Sequence, residues 1–98
     1  MYRHGGVLIA PVEDVPAEAR ELPGNILARV EATGHSHRVE PADATRMYAD
    51  GAERFLKVTG PGVRVLHEEH GPIELPTGTY RVWQQREYEP DAIRTIRD

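Results

Sequence analysis

Four of the five histidines in this chain fall into two short segments. One residue separates His35 from His37, and two residues separate His67 from His70. Residues i and i+2 of a β-strand point to the same face, so His35 and His37 can offer two imidazoles to one point. Neutral imidazole is a ligand for zinc, iron, nickel, copper and manganese. The spacing therefore indicates metal chemistry, provided that the fold brings the two segments together.

The ligands of such a site must be nitrogen and oxygen atoms, because the sequence contains no cysteine. We predict that His35, His37, His67 and His70 bind one divalent transition metal, with zinc expected first and iron, manganese or nickel as alternatives. His4 lies near the chain start, and we expect it to be flexible and structural or incidental. Two other interpretations stay open: cofactor-free polar or acid–base use of the imidazoles, and chance clustering on solvated turns.

Further polar residues accompany the histidines. Glu68 and Glu69 lie between two predicted ligands, where either could ligate, orient a histidine or act as general base to a metal-bound water. The alternative is that both are solvated turn carboxylates. On the predicted last strand, Tyr80 and Arg86 fall on one face, and we predict that they contact a bound cofactor or anion. Arg86 could equally lie on an exposed strand.

Short strands must position these side chains. Glycine and proline are 17 of 98 residues, nine and eight respectively, which is typical of strands joined by tight turns. The alternation of apolar residues predicts strands over 7–12, 26–33 (continued over 35–40 after a bend at Gly34), 45–49, 54–58, 63–67, 73–75 and 79–88, with Asp50-Gly51 at a hairpin tip. We also predict one or two helical turns over 16–22 and a short C-terminal helix starting at Pro90. The fold class is therefore all-β: a small antiparallel barrel or sandwich of six to seven strands.

Composition limits the classes of function. Ninety-eight residues predict a single β domain over 1–98. A net charge of −4 argues against a nucleic-acid partner. No apolar run approaches the roughly 20 residues of a membrane helix, and no secretory leader is recognisable, so we expect a cytoplasmic protein. The partner, a small molecule or a protein, is left open, as is a homo-oligomer.

Two resemblances accompany these motifs. The segments Gly34-His35-x-His37 and His67-Glu68-Glu69-His70-Gly71-Pro72-Ile73 resemble the GHxH and HEEHxPI motifs of a group of small bacterial and phage-borne proteins. This resemblance implies that both histidine pairs belong to one site, but it implies no reaction. The HxH pair followed by Glu40 resembles the first cupin motif, although its spacing is one residue short. Arg81 stands where the second cupin motif has histidine. The cupin resemblance implies a similar kind of metal site on a small β-fold.

Two functional classes follow from the predicted site. A metal with an open coordination position would make a small hydrolytic or oxidative metalloenzyme, with Glu68 or Glu69 as base. A metal closed off by four protein ligands would instead stabilise the fold of a non-enzymatic binding module. The sequence leaves open whether the protein is an enzyme.

Overall fold

The strands of this protein account for most of its regular structure. A computed structural model describes residues 1–30, 35–84, 86–89 and 92–95. Within these residues there are twelve strands and a 3-10 turn, Ala42–Ala44. The strands are β1 (Tyr2–His4), β2 (Val7–Val12), β3 (Arg20–Leu22), β4 (Ile26–Val30), β5 (His35–Glu40), β6 (Thr45–Asp50), β7 (Glu53–Val58), β8 (Val63–Leu66), β9 (Ile73–Leu75), β10 (Gly78–Gln84), β11 (Arg86–Glu89) and β12 (Ala92–Thr95).

Two antiparallel sheets share one hydrophobic core. The larger sheet has the order β1-β2-β10-β7-β6-β3, the smaller has the order β4-β5-β8-β9, and β11 and β12 form a separate pair. Both sheets contribute buried side chains to the same core, namely Val7, Ile9, Leu27, Ala28, Val39, Met47, Leu56, Val58, Val63, Val65, Leu75, Tyr80 and Val82. This arrangement is a sandwich. The all-β prediction is confirmed, whereas the described residues form no closed barrel.

Two tight hairpins follow from glycine positions. Asp50 pairs with Glu53 across a two-residue loop in which Gly51 has a φ of 60°. A glycine with positive φ at the first loop position is typical of a type II′ turn. The predicted Asp50-Gly51 hairpin tip is therefore confirmed. The hairpin of β1 and β2 is built in the same way: His4 pairs with Val7, and Gly5 between them has a φ of 59°.

Two helical predictions are wrong. The segment Arg20–Leu22 forms β3, which pairs with β6, and before it a single turn closes from Ala19 N–H to Pro16 O at 3.0 Å. The segment Ala92–Thr95 forms β12 rather than a helix and pairs with β11. In both places an available strand edge satisfies the backbone groups, whereas so short a helix would satisfy few of them.

Some predicted boundaries lie outside the described residues, including 31–33 of the second strand, Pro90 and 96–98. The predicted long strand over 79–88 is divided into β10 and β11 on either side of residue 85, which also lies outside them. No helix in the described part of the chain is long and apolar enough to cross a membrane.

A half-buried guanidinium joins the two sheets. The register of β4 against β5 shifts between Ile26 and Ala28, and such a bulge frees backbone groups from the ladder. Arg54 on β7 donates from Nη1 to the Leu27 carbonyl oxygen at 2.6 Å and from Nη2 to the Ile26 carbonyl oxygen at 3.2 Å. Burial lowers the pKa of Arg54. One side chain of the larger sheet thus satisfies two carbonyls of the smaller sheet.

The Arg54 bridge predicts a stability effect. We expect Arg54→Leu to lower the free energy of unfolding by about 1–3 kcal/mol, because it leaves two carbonyl groups in the sandwich without their charged donor. Arg54→Lys should restore part of this loss. Urea unfolding of the purified variants measures the difference.

An exposed arginine provides the control. Arg46 pairs with Glu21 at 3.2 Å on the surface, and exposed pairs of this kind contribute about 0–1 kcal/mol. Arg46→Leu should therefore have a small effect. Equal losses in the two leucine variants would contradict the role assigned to Arg54.

Candidate functional site

The smaller sheet brings the two histidine segments together. His35 and His37 alternate with outward residues on β5, and they share their face with the buried Val39. Strands β5 and β8 pair in the register Arg38 opposite Leu66. Continuing that register by one residue sets His67 opposite His37, and their ring centroids lie 4.4 Å apart. Strand pairing therefore produces the convergence that the sequence predicted.

All five histidines form one group, which we call the histidine cluster: His4, His35, His37, His67 and His70. His67 is at its centre. Its ring centroid lies 4.6 Å from that of His70, 5.3 Å from that of His35 and 6.2 Å from that of His4. The rings of His37 and His70 are stacked, with centroids 5.9 Å apart and an interplanar angle of 16°.

His4 is a member that sequence reasoning missed. We expected it to lie in a flexible N-terminus, but it ends β1 and is only 2% exposed. Its Nδ1 lies 2.8 Å from Nδ1 of His37, and its Nε2 lies 3.0 Å from the carbonyl oxygen of Gly71. The two glycines between His4 and the apolar run of β2 were the available signal, because they permit a hairpin that turns His4 back over the core.

The turn after β8 holds His67 by its ring. The backbone N–H groups of Glu69 and His70 donate to Nδ1 of His67 at 3.0 and 3.3 Å. A neutral imidazole that accepts at Nδ1 carries its proton on Nε2. In the described part of the chain, that buried Nε2 has no hydrogen-bond partner. Burial is the main cause that lowers the pKa of His67, and the neighbouring imidazoles of His37 and His70 lower it further.

Glu68 is bound to strand β5. Its Oε2 accepts from the backbone N–H of Ser36, and its Oε1 accepts from Nη1 of Arg38, both at 2.9 Å. These bonds, the one from Ser36 first, lower the pKa of Glu68. Glu68 also forms a group with His35 and His67 in which one ligand atom from each lies within 4.8 Å of the others. Sequence reasoning did not identify Arg38 as a partner.

Glu69 lies on the side of the cluster that faces solvent. Its side chain is 62% exposed, and its Oε2 lies 3.7 Å from Nδ1 of His35. On the opposite side, His37 is fully buried between the sheets. The histidine cluster thus has a buried flank, formed by His4 and His37, and an open flank, formed by His35 and Glu69.

The two other predicted contact residues differ in what the structure describes. Tyr80 is buried in the core: its hydroxyl donates to the Pro76 carbonyl oxygen at 2.7 Å, and its ring meets that of Tyr2 edge-on at 6.0 Å. Burial raises its pKa. Arg86 belongs to β11, but its side chain lies outside the described part of the structure. The predicted role of both residues in binding a cofactor stays a prediction.

The buried imidazoles predict an acid-sensitive fold. Burial lowers the pKa of His4 and His67 from the ordinary value of 6.5, so the unfolded chain takes up protons before the folded chain does. In metal-free protein we expect the stability to be constant above about pH 6.5 and to fall as the pH drops from there through the lowered values. Urea unfolding between pH 8 and pH 5 measures this slope.

Glu68 provides the internal control for that measurement. Because the pKa of Glu68 is lowered from the ordinary value of 4.5, its protonation changes the stability mainly below that pH. Glu68 therefore contributes little to the slope between pH 8 and pH 5. A His4→Gln variant should show a shallower slope in this window. A stability that is independent of pH from 8 to 5 would contradict the neutral state assigned to both imidazoles.

Comparisons with known proteins give a family but no activity. A family model described as "Domain of unknown function (DUF8820)" matches residues 3–85. No curated protein and no solved structure matches the chain significantly. The matched region contains all five positions of the histidine cluster and ends before β11. It gives no support to the cupin resemblance. Because the match covers most of its length, the chain belongs to the DUF8820 domain family.

Proposed function

We propose that the histidine cluster binds one divalent transition-metal ion. The observation that carries this proposal is the packing of all five histidines into one group, with His67 in ring contact with each of the other four. Imidazole nitrogen with a carboxylate is a donor set that suits zinc, and also iron, manganese and nickel. Zinc is the first metal to test.

The ligand atoms need only a small approach to hold an ion. One ligand atom from each of His35, His67 and Glu68 lies within 4.8 Å of the others. Zinc bonds of about 2.0–2.1 Å place neighbouring tetrahedral ligand atoms about 3.3 Å apart. Rotation of the His35 and Glu68 side chains, which are more exposed than that of His67, can supply this difference. His37 and His70, which both contact His67, are the further nitrogen ligands that we propose, and the ion takes at most four ligands from this set.

Metal binding to His67 would change its hydrogen bonds. Nε2 can ligate only after it loses its proton, and a neutral ring would then carry the proton on Nδ1. Two backbone N–H groups already point at Nδ1, so they would have to turn away. The turn that contains Glu69 and His70 is therefore where the backbone should respond to the ion.

Stoichiometry tests the proposal directly. We expect about one zinc ion per chain after dialysis, measured by elemental mass spectrometry, and none in the double variant His35→Ala/His37→Ala. The Arg46→Leu variant, changed on the exposed face of β6, should keep its metal. NMR of the labelled protein should show the amide signals of Glu69 and His70 shifting as zinc is added.

Retention of one ion per chain by the double variant would place the metal elsewhere. A wild-type protein that takes up none of the four metals would contradict the function. Zinc uptake without a change in the two amide signals would instead leave His67 out of the ligand set.

Features of the cluster favour each of two roles for the ion. The buried flank resembles a closed structural site, which would suit a domain that binds a protein or small-molecule partner. The open flank favours catalysis, because Glu69 is accessible there and lies beside His35. As a proton acceptor Glu69 is better placed than Glu68, whose carboxylate already receives two hydrogen bonds.

Removal of the metal separates these roles. An ion that binds only the folded chain stabilises it by about 2.7 kcal/mol at 100 times its dissociation constant, which raises the melting temperature by roughly 10–20 °C for a domain of this size. We expect chelated protein to stay folded at 25 °C, because the hydrophobic core of the sandwich consists of apolar side chains that need no ion. Thermal unfolding followed by circular dichroism measures both forms.

Unfolding of the chelated protein at 25 °C would identify a structural ion and contradict this expectation. Glu69→Gln is the matched variant. It should keep the metal and the melting temperature, because its side chain is exposed and contributes little to folding. Loss of metal in Glu69→Gln would make Glu69 a ligand rather than a base.

A further inference from the structure

A chain of hydrogen bonds begins at the carbonyl oxygen of Gly71. A carbonyl oxygen can only accept, so the 3.0 Å contact requires a proton on Nε2 of His4. At pH 7.5 imidazole is mainly neutral, because the ordinary pKa of histidine is about 6.5. A neutral imidazole with its proton on Nε2 has a bare Nδ1, and this atom can only accept. The carbonyl of Gly71 therefore fixes which ring nitrogen of His4 carries the proton and which one accepts a hydrogen bond.

The next link is the short contact between two rings. Nδ1 of His4 lies 2.8 Å from Nδ1 of His37. Since the His4 atom accepts, the His37 atom must donate, and the proton of a neutral His37 is then on Nδ1. Its Nε2 carries no proton. The tautomer of a fully buried imidazole is thus set by a residue of the other sheet.

We infer that His4 is a positioning residue that holds His37 in the Nδ1–H tautomer and so presents its Nε2 to the metal ion. The inference rests on the metal site proposed above. Metal-binding histidines generally donate their second ring nitrogen to a carboxylate, carbonyl or water, which fixes the tautomer and the ring orientation. Here a second imidazole, itself oriented by a backbone carbonyl, takes that place. His4 is not a ligand, because both of its ring nitrogens are already engaged.

This arrangement makes the N-terminal strand part of the site. His4 is the last residue of β1, an edge strand held by three residue pairs to β2. Gly71 lies between β8 and β9 of the smaller sheet, and His37 lies on β5 of the same sheet. The imidazole of His4 therefore connects the two layers through its contacts with His37 and Gly71.

Ring tautomers are directly measurable by NMR. In metal-free, nitrogen-15-labelled protein at pH 7.5, long-range proton–nitrogen spectra should show the ring proton of His37 on Nδ1 and that of His4 on Nε2. In His4→Leu, His37 should lose this fixed state and populate the other tautomer. In His4→Gln, the amide offers one acceptor and one donor in place of the two nitrogens, so the Nδ1–H tautomer should be retained.

Zinc affinity provides the second measurement. We expect His4→Leu to weaken zinc binding about 10- to 100-fold, as loss of an outer-shell partner does in other sites, and His4→Gln to recover most of that loss. Tyr2→Leu is the matched control. It loosens β1 at the contact with Tyr80 but leaves every imidazole in place, so it should bind zinc almost as well as the wild type.

Each result decides one claim. A proton on Nε2 of His37 in the wild type, or equal zinc affinities of wild type and His4→Leu, would overturn the inference. An equal loss in Tyr2→Leu and His4→Leu would also overturn it, because strand docking alone would explain the effect. If the wild type binds no zinc, the metal site proposed above fails, and the tautomer spectra still decide whether His4 sets His37.

Discussion

Buried imidazole is the constraint around which this end of the molecule is organised. His4, His37 and His67 are between 0% and 8% exposed. Burial of a polar group costs free energy unless the group gains a hydrogen bond, and this cost is larger for a charged ring than for a neutral one. Hydrogen bonds to backbone groups therefore orient the rings of His4 and His67. The carbonyl of Gly71 and the amides of the turn after β8 supply fixed partners of opposite kind, one that accepts and two that donate.

The surrounding carboxylates complete this organisation from the solvent side. Glu68 ties the turn to β5 through Ser36 and Arg38, so the two histidine segments are joined by side chains as well as by strand pairing. Glu69 stays accessible beside His35. The result is a site with a gradient from a buried flank to a flank exposed to solvent. That gradient suits an ion held by buried nitrogen and approached from water.

The sandwich matters to the site because its two layers meet there. Arg54 joins the sheets through the bulged carbonyls of β4, and His4 joins them again within the histidine cluster. A guanidinium has only donors, whereas an imidazole can accept and donate. Arg54 can therefore act as a structural bridge, whereas His4 can also determine the tautomer of the imidazole that it contacts. The region that matches the DUF8820 family model, residues 3–85, includes the residues of both bridges.

The sequence by itself determined the local features. The one-residue gap between His35 and His37 set both rings on one face of a strand, because side chains alternate along a strand. Asp50-Gly51 determined a hairpin tip, because glycine adopts positive φ without strain. The alternation of apolar residues determined an all-β fold. These features depend only on neighbours in the chain.

Tertiary structure decided what depends on distant partners. His4 carried no signal of its own, and it enters the site because β1 folds back on β2 and meets β5 across the sandwich. The segments Arg20–Leu22 and Ala92–Thr95 became strands because strand edges were available to pair with them. The tautomers of His4, His37 and His67 likewise depend on atoms far along the chain or on the geometry of a turn. A hydrogen bond is defined by distance and angle in space, and spacing along the sequence does not contain that information.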